Sequence, residues 1–331
     1  MKLELAIDVG SSHVTIYQKG KGVVLREPNV AIVNNSGEIE VIEVGQKAIN
    51  MLGRADRRVK AVYPVSDGVI VHQEVFSKML QAFIQKLHNA RFVKPTISAL
   101  VLISQCLNDV ERKNMEKAIY EAGVRDVTLV ESPLALYVQN GARDGLYVNI
   151  GADLTEVSIV TSGGIMSGYT LNVGGNTFNN LISDRITEKY GVKIGKYTAE
   201  KIKKTIGSMY ENDMNVDEVV GVNIVDGENV LVDVNAGDVL ESVINSVDAI
   251  IEVINTTLNL CPKEIAGKVF NEGVYLAGGT TLLPGLEEYI LEKTKINVVT
   301  LENATSAVSL GGGKMLEDAR ILSGLLRLKN I

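Results

Sequence analysis

Two stretches of this chain are written to one plan, and that duplication limits its possible folds more than any other feature. Residues 3–22 read LELAIDVGSSHVTIYQKGKG, and residues 145–164 read GLYVNIGADLTEVSIVTSGG. Each has an apolar run, a polar residue, a glycine, a short polar stretch and a second alternating run. That pattern predicts a β-hairpin with a tight polar turn. A repeat of about 140 residues is far too long for a solenoid and predicts two similar lobes. The full 331 residues suit two domains of ordinary size. Two α/β lobes of one architecture would form a clamp, with a cleft where the hairpins face each other. The copies differ at one chemically important position: the first carries Asp8 and the second Asn149.

Composition removes several alternatives. With 46% hydrophobic and 22% charged residues the chain can bury a core and is not a disordered segment. A net charge of −7 argues against nucleic acid as a partner held by a basic surface, but not against a nucleotide, which needs only a local phosphate cradle. Cys106 and Cys261 lie far apart, and His13, His72 and His88 are dispersed, so neither a disulfide framework nor a zinc site is expected. No apolar run is long enough to span a bilayer, and MKLELAIDVG enters a strand directly; a cytoplasmic protein is expected.

The coarse pattern repeats as hairpin, further strands and helices. GVVLREPNVAIV and EIEVIEVG read as strands, and Phe76, Met79, Leu80, Phe83, Ile84 and Leu87 recur at helical spacing. TISALVLIS reads as a buried parallel strand. Asn108 with Glu111 forms a capping signature for a helix that Gly123 stops, and Pro133 opens a helix after DVTLVES. In the second half, helices are expected at 176–190 and 198–210, with a strand pair turning at Asp226-Gly227. A long helix then runs from Val239 to Pro262, followed by a strand, a glycine turn and a helix with Pro284 near its first turn. TSAVSLGGGKMLED gives a further helix, and the tail ILSGLLRLKNI is read as a final helix on the first lobe.

The turns carry the chemistry. Gly10-Ser11-Ser12-His13 offers consecutive backbone N–H groups and hydroxyls, and its glycine lets an anion approach the backbone. Gly151-Ala152-Asp153-Leu154 can do the same from the other lobe, and Gly278-Gly279-Thr280-Thr281 supplies a third glycine turn. A polyphosphate between the two hairpins, with its base near the third turn, is the expected ligand. Asp8, just before its turn, is placed to hold Mg2+ through water, because hard cations prefer carboxylate oxygen. His13 either touches a phosphate oxygen or is a solvated turn residue.

These residues carry a resemblance. IDVGSS is shared widely among actin-like ATPases; KGKGVVLREPNVAIV, MLGRADRRVKAVYPVSDGVI and KYTAEKIKKTIGSMY are more specific, and in order and content they resemble the MreB family of bacterial rod-shape filament proteins. The resemblance covers nearly the whole chain. It implies a duplicated actin-like (ribonuclease H-like) α/β fold with two lobes, each with a small subdomain. Those subdomains would be IA (1–30, 75–142 and 305–331), IB (31–74), IIA (143–178 and 238–304) and IIB (179–237). It further implies ATP and Mg2+ in the central cleft, with adenosine contacts from Glu200, Lys203 and Gly278 to Thr281. The implied partners are further copies of the chain in paired protofilaments, the inner face of the cell membrane and membrane proteins of cell-wall elongation. Localisation would be cytoplasmic and peripheral at the membrane, with Phe92 and Val93 as an inserting loop and Arg91 and Lys94 at the lipid heads. The plain alternative tucks Phe92 and Val93 under a neighbouring subdomain.

The departures from the family pattern matter more than the matches. Where the family has an acidic pair before proline, this chain has Glu131-Ser132-Pro133, so the acid that orients the attacking water is Ser132. Where the family reads Asp-Ile-Gly-Gly-Gly-Thr, this chain reads Asn149-Ile150-Gly151-Ala152-Asp153-Leu154. Phosphoryl transfer depends on a positioned water and on charge neutralisation. Losing general-base help slows a reaction by roughly 10²–10⁴, so weak ATP hydrolysis is expected. Asp153 would either repel phosphate or replace the lost acid, and Glu131 is a further candidate to position water. The rival readings are an FtsA-like or pilus-assembly-type adaptor that binds ATP with little hydrolysis, an actin-fold small-molecule kinase, and a chaperone-type ATPase without its peptide-binding domain.

Overall fold

The computed structural model describes residues 2–34, 39–52, 59–88 and 95–328. The chain divides into two units, one of Met1–Asp144, Val160–Met166 and Thr305–Ile331, the other of Gly145–Ile159 and Ser167–Ala304.

The first unit opens on β1 (Lys2–Val9), β2 (His13–Gln18) and β3 (Gly22–Pro28). β1 and β2 are antiparallel, with Asp8 opposite Thr15 and Val9 opposite Val14. A smaller group follows: β4 (Ala31–Asn34), β5 (Val41–Val44), α1 (Gln46–Met51) and β6 (Val59–Val62), with β4 central in its sheet. β7 (Val65–Ser66) and β8 (Val69–Ile70) pair with each other. α2 (Gln73–Lys86) buries Phe76, Met79, Leu80, Phe83 and Ile84, the stripe its spacing predicts. β9 (Thr96–Ile103) runs parallel between β1 and β10 (Asp126–Glu131), and Ala99 to Ile103 are all buried, so both faces of its apolar run are covered and it does not alternate. α3 (Asp109–Glu121) starts with the expected box: Glu111 N–H donates to Asn108 Oδ1 at 3.0 Å and Asn108 N–H to Glu111 Oε2 at 2.9 Å. α4 (Ser132–Gln139) has Pro133 in its first turn.

The second unit repeats the scheme with β11 (Gly145–Ile150), β12 (Thr155–Thr161) and β13 (Gly164–Leu171). α5 (Gly175–Tyr190) stops at the left-handed Gly191, and β14 (Val192–Lys193) and α6 (Lys196–Thr205) follow. β15 (Val216–Asn223) and β16 (Asn229–Asn235) form the strand pair around Asp226-Gly227, and α7 (Ala236–Asn259) and α8 (Lys263–Glu272) come next. β17 (Val274–Ala277), a 3-10 turn at Gly279–Leu282, α9 (Leu286–Thr294) and β18 (Val298–Thr300) complete it. Asp238 in the first turn of α7 accepts hydrogen bonds from Lys189 Nζ and Tyr190 OH of α5, both at 2.6 Å. Burial alone would raise this carboxyl; the two donors outweigh it and hold the pKa below its ordinary value.

The two main sheets have one topology. Their strand orders are β3-β2-β1-β9-β10 and β13-β12-β11-β17-β18, so each strand of one has a counterpart in the other. The duplication seen in the hairpins therefore extends through both sheets.

α10 (Ala307–Glu317) and α11 (Ala319–Leu328) return to the first unit, where Leu325 is buried. Three glycines inside α10 cost about 1 kcal/mol each in helix propensity relative to alanine, and packing requires them. A Cβ on Gly311 would overlap the Ala135 carbonyl of α4, one on Gly312 would lie 2.7 Å from Leu102, and one on Gly313 2.5 Å from the Tyr17 ring.

Three sequence expectations about element ends are corrected. The helix expected at 198–210 ends at Thr205, because Ile206 leaves helical geometry (φ −127°) and Met209 N–H donates instead to Pro284 O at 2.8 Å. Pro262 does not simply end a helix; it caps α8, which periodicity did not reveal. Pro284 lies before α9, whose N-cap is the left-handed Gly285.

Candidate phosphate cradles and their surroundings

In the first unit the turn between β1 and β2 is closed by Gly10 N–H donating to His13 O at 3.1 Å. Asn29, buried after β3, fastens it from outside: its side-chain amide donates to Gly10 O at 2.7 Å and its backbone N–H to Ser12 O at 2.8 Å. Ser12 Oγ lies 2.9 Å from His13 Nδ1. A Cβ on Gly10 would come 2.9 Å from His13 O, so the turn tolerates little but glycine there. Asp8 sits at the end of β1, half-buried.

The second unit builds the same turn, closed by Gly151 N–H donating to Leu154 O at 2.8 Å. Its outer fastening comes from α5 and the 3-10 turn. Gly151 O accepts from Gly175 N–H and Thr280 Oγ1, each at 3.0 Å, and Ala152 O accepts from Asn176 N–H at 2.7 Å. Asp153 Oδ1 accepts from the Asn176 side-chain amide at 2.6 Å, tying this carboxylate to the start of α5. Lys203 on α6 donates to Gly175 O at 2.7 Å, and burial lowers its pKa to about 8. Gly278 has φ +94°, a conformation suited to glycine, and a Cβ there would overlap Ile150 O. Thr281 Oγ1 donates to Gly278 O at 2.7 Å, and Gly279 opens the 3-10 turn.

Thus Gly151, Ala152, Asp153, Leu154, Lys203, Gly278, Gly279, Thr280 and Thr281 are gathered in one neighbourhood of the second unit. Glu200 is on the same helix as Lys203 and accepts from Lys204 Nζ at 2.6 Å. In the first unit, the Glu131 carboxylate lies 2.9 Å from the Arg112 guanidinium, and Ser132 Oγ donates to Ile103 O at 2.9 Å. Phe92 and Val93, with Arg91 and Lys94, lie outside the described residues. Among the described residues no helix is long and apolar enough to cross a membrane, and no three His, Cys, Asp or Glu side chains form a metal-holding group. Sequence reasoning missed Asn29, Asn176 and Glu156; the last donates nothing but accepts from Asn149 Nδ2 at 3.2 Å. Matching the two hairpins position by position, Thr15 against Glu156, was the available signal for that residue.

The duplicated sheets and twin turns define an actin-like protein, and comparison with solved structures agrees. MreB5 of Spiroplasma citri bound to AMPPNP superposes with a TM-score of 0.89 at 23% identity, covering 99% of each chain. The MamK double helical filament gives 0.83 at 21% identity, covering 96% of this chain and 99% of that one. The MreB/Mbl protein family model matches residues 2–324, and the chain belongs to that family. It is similar to the cell shape-determining protein MreB of Escherichia coli (strain K12), 35% identical over 95% of this chain and 93% of that protein. The cell shape-determining protein Mbl of Bacillus subtilis (strain 168) is 32% identical over 95% and 96%. These matches favour the filament-protein reading over the FtsA-like adaptor.

Proposed function

We propose that the chain is a cell-shape filament protein that binds ATP with Mg2+ and assembles with further copies of itself. The observation that carries this reading is the twin turn: both hairpins close with the same Gly-to-fourth-residue hydrogen bond, and in both a third element takes the glycine carbonyl. Gly10, Ser11, Ser12 and His13 are the phosphate cradle of the first unit, and Gly151 to Leu154 that of the second. Lys203, Glu200 and the Gly278–Thr281 turn take the nucleoside side. Asp8 is the hard-oxygen group that would hold Mg2+ through water, and in each turn the glycine lets the backbone close tightly, a Cβ on Gly10 coming within 2.9 Å of His13 O and one on Gly151 within 3.1 Å of Leu154 O. When bound, Mg2+ neutralises charge on the phosphates. Family relatives solved with AMPPNP and ADP support this assignment.

Hydrolysis is slow in this reading. Glu131 is engaged with Arg112, and Ser132, where the family pattern has an acid, is a short hydroxyl that donates to a backbone carbonyl. Filaments pair, lie at the inner face of the cell membrane and meet membrane proteins of cell-wall elongation. Titration with a fluorescent adenine analogue should show affinity that depends on Mg2+. Sedimentation with ATP should yield polymer, with phosphate release in the same tubes roughly 10²–10⁴ slower than for a relative retaining both acids. Affinity indifferent to Mg2+ would defeat the binding assignment, and ordinary turnover would defeat the slow-hydrolysis part.

A further inference from the structure

α11 starts at the end of the first unit's main sheet that lies away from the phosphate turn. β1 begins there with Lys2, and the turn between β2 and β3 returns there, Lys19 N–H donating to Glu4 O at 3.1 Å. α10 ends at the same place, where Glu317 Oε1 accepts from Gly20 N–H at 2.7 Å, and α11 opens two residues later at Ala319. Residues 319–331 contain three cations, Arg320, Arg327 and Lys329, and no acid, in a chain whose net charge is −7. Lys2, Lys19 and Lys21 stand at the sheet end against Glu4, Glu317 and Asp318. Glu4 lies 3.7 Å from Lys2 and 3.6 Å from Lys19, and Asp318 pairs with Arg320 at 2.7 Å. The balance at this end is positive. Along α11, Ile321, Leu322, Leu325 and Leu328 recur at helical spacing, with Arg320, Ser323 and Arg327 between them. Leu325 is buried, but Leu322 is only half-buried and Ile321 is 36% exposed.

We propose that α11 is an interfacial helix that binds an anionic lipid surface, with Lys2, Lys19 and Lys21 as a basic rim beside it. This names a contact segment for the membrane-face part of the reading above and rests on that part. A helix that only closes its own unit needs an apolar stripe but no particular charge opposite. α11 joins an incompletely covered apolar stripe to a polar side with cations and no acid, the pattern of a helix lying flat among lipid headgroups. Lysine and arginine suit that position, because their stems lie along apolar surface while their charged ends reach phosphate oxygens. Four separate elements bring cations to this end, and at physiological salt charges act over about 8 Å, so the cations of the rim and the helix reach one surface together. A nucleic acid would also attract them, but it would leave Ile321 and Leu322 without an apolar partner.

The test is co-sedimentation of the full chain with vesicles containing phosphatidylglycerol, against vesicles of phosphatidylcholine alone. The wild type should bind the anionic vesicles and leave them as salt rises. Each cation near an anionic surface contributes about fivefold, so Arg320→Gln/Arg327→Gln should weaken binding roughly 30-fold. Ile321→Asp should weaken it by roughly tenfold or more, because it places a charge in the apolar stripe. Arg320 and Ile321 are exposed, and affinity for the fluorescent adenine analogue should stay at the wild-type value in both variants. Variants that bind anionic vesicles as tightly as the wild type would overturn this assignment and leave membrane contact to another segment. Failure of the wild type to bind them would overturn the membrane reading, and this assignment with it. Loss of ATP-dependent polymer by the variants without vesicles would make α11 a contact between copies and overturn the lipid assignment.

Discussion

Lys203 shows how one side chain reports on the neighbourhood that holds it. Its amine is buried against Gly175 O, and desolvation brings its pKa from 10.5 to about 8. The unfolded chain keeps the proton up to about pH 10.5 and the folded chain only to about pH 8, so the unfolded state binds more protons between them. Stability therefore rises with pH through that window. Comparing Lys203→Met with the wild type in denaturant titrations at pH 7, 9 and 10.5 should isolate the effect. The wild type should gain stability relative to the variant as pH increases, and a constant difference would show that the lysine is not desolvated. The same neighbourhood contains Asp153, whose carboxylate was an open question in the sequence. Its hydrogen bond from Asn176 shows that it helps to fasten the turn to α5.

At the scale of elements, α10 and α11 make opposite demands on glycine. Gly311→Ala should raise helix propensity by about 1 kcal/mol yet destabilise by more, because its methyl would overlap Ala135 O. Gly324→Ala in α11 meets nothing within 4 Å and should stabilise by about 0.5–1 kcal/mol. Thermal melting of the two variants checks both signs. The contrast also explains what was legible in the sequence. The Asn108–Glu111 box, the Asp226-Gly227 turn and the hairpin repeat are fixed by residues close in sequence, and they appear as expected. The early end of α6 depends on Pro284, far along the chain, and α8 follows a proline that resembles a terminator. Within the candidate site the glycine turns announced themselves, whereas Asn29 and Glu156 acquire meaning only from partners that folding brings to them.

At the scale of the whole molecule, self-association needs surface, and the sheet β14-β15-β16 offers it. Val220 of β15, 61% exposed, faces Leu231 of β16, 56% exposed, with Ile224 and Val225 also exposed beyond the end of β15. A neighbouring cross-strand pair, Glu218 and Asp233, adds negative charge. Exposed apolar groups concentrated in this way are a mark of interaction surfaces. The double variant Val220→Lys/Leu231→Lys should lower the fraction sedimenting with ATP, while affinity for the fluorescent analogue, read from residues elsewhere in the unit, stays unchanged. Undiminished sedimentation would remove this face from the assembly.

The return of α10 to the first unit has a consequence for biosynthesis. Unit 2 is drawn from residues between Gly145 and Ala304, whereas unit 1 also needs Thr305 onward. On the ribosome the later unit can therefore finish first. The earlier one must wait, with the seats for Gly311, Gly312 and Gly313 at Ala135, Leu102 and Tyr17 uncovered until the third instalment of its own chain emerges.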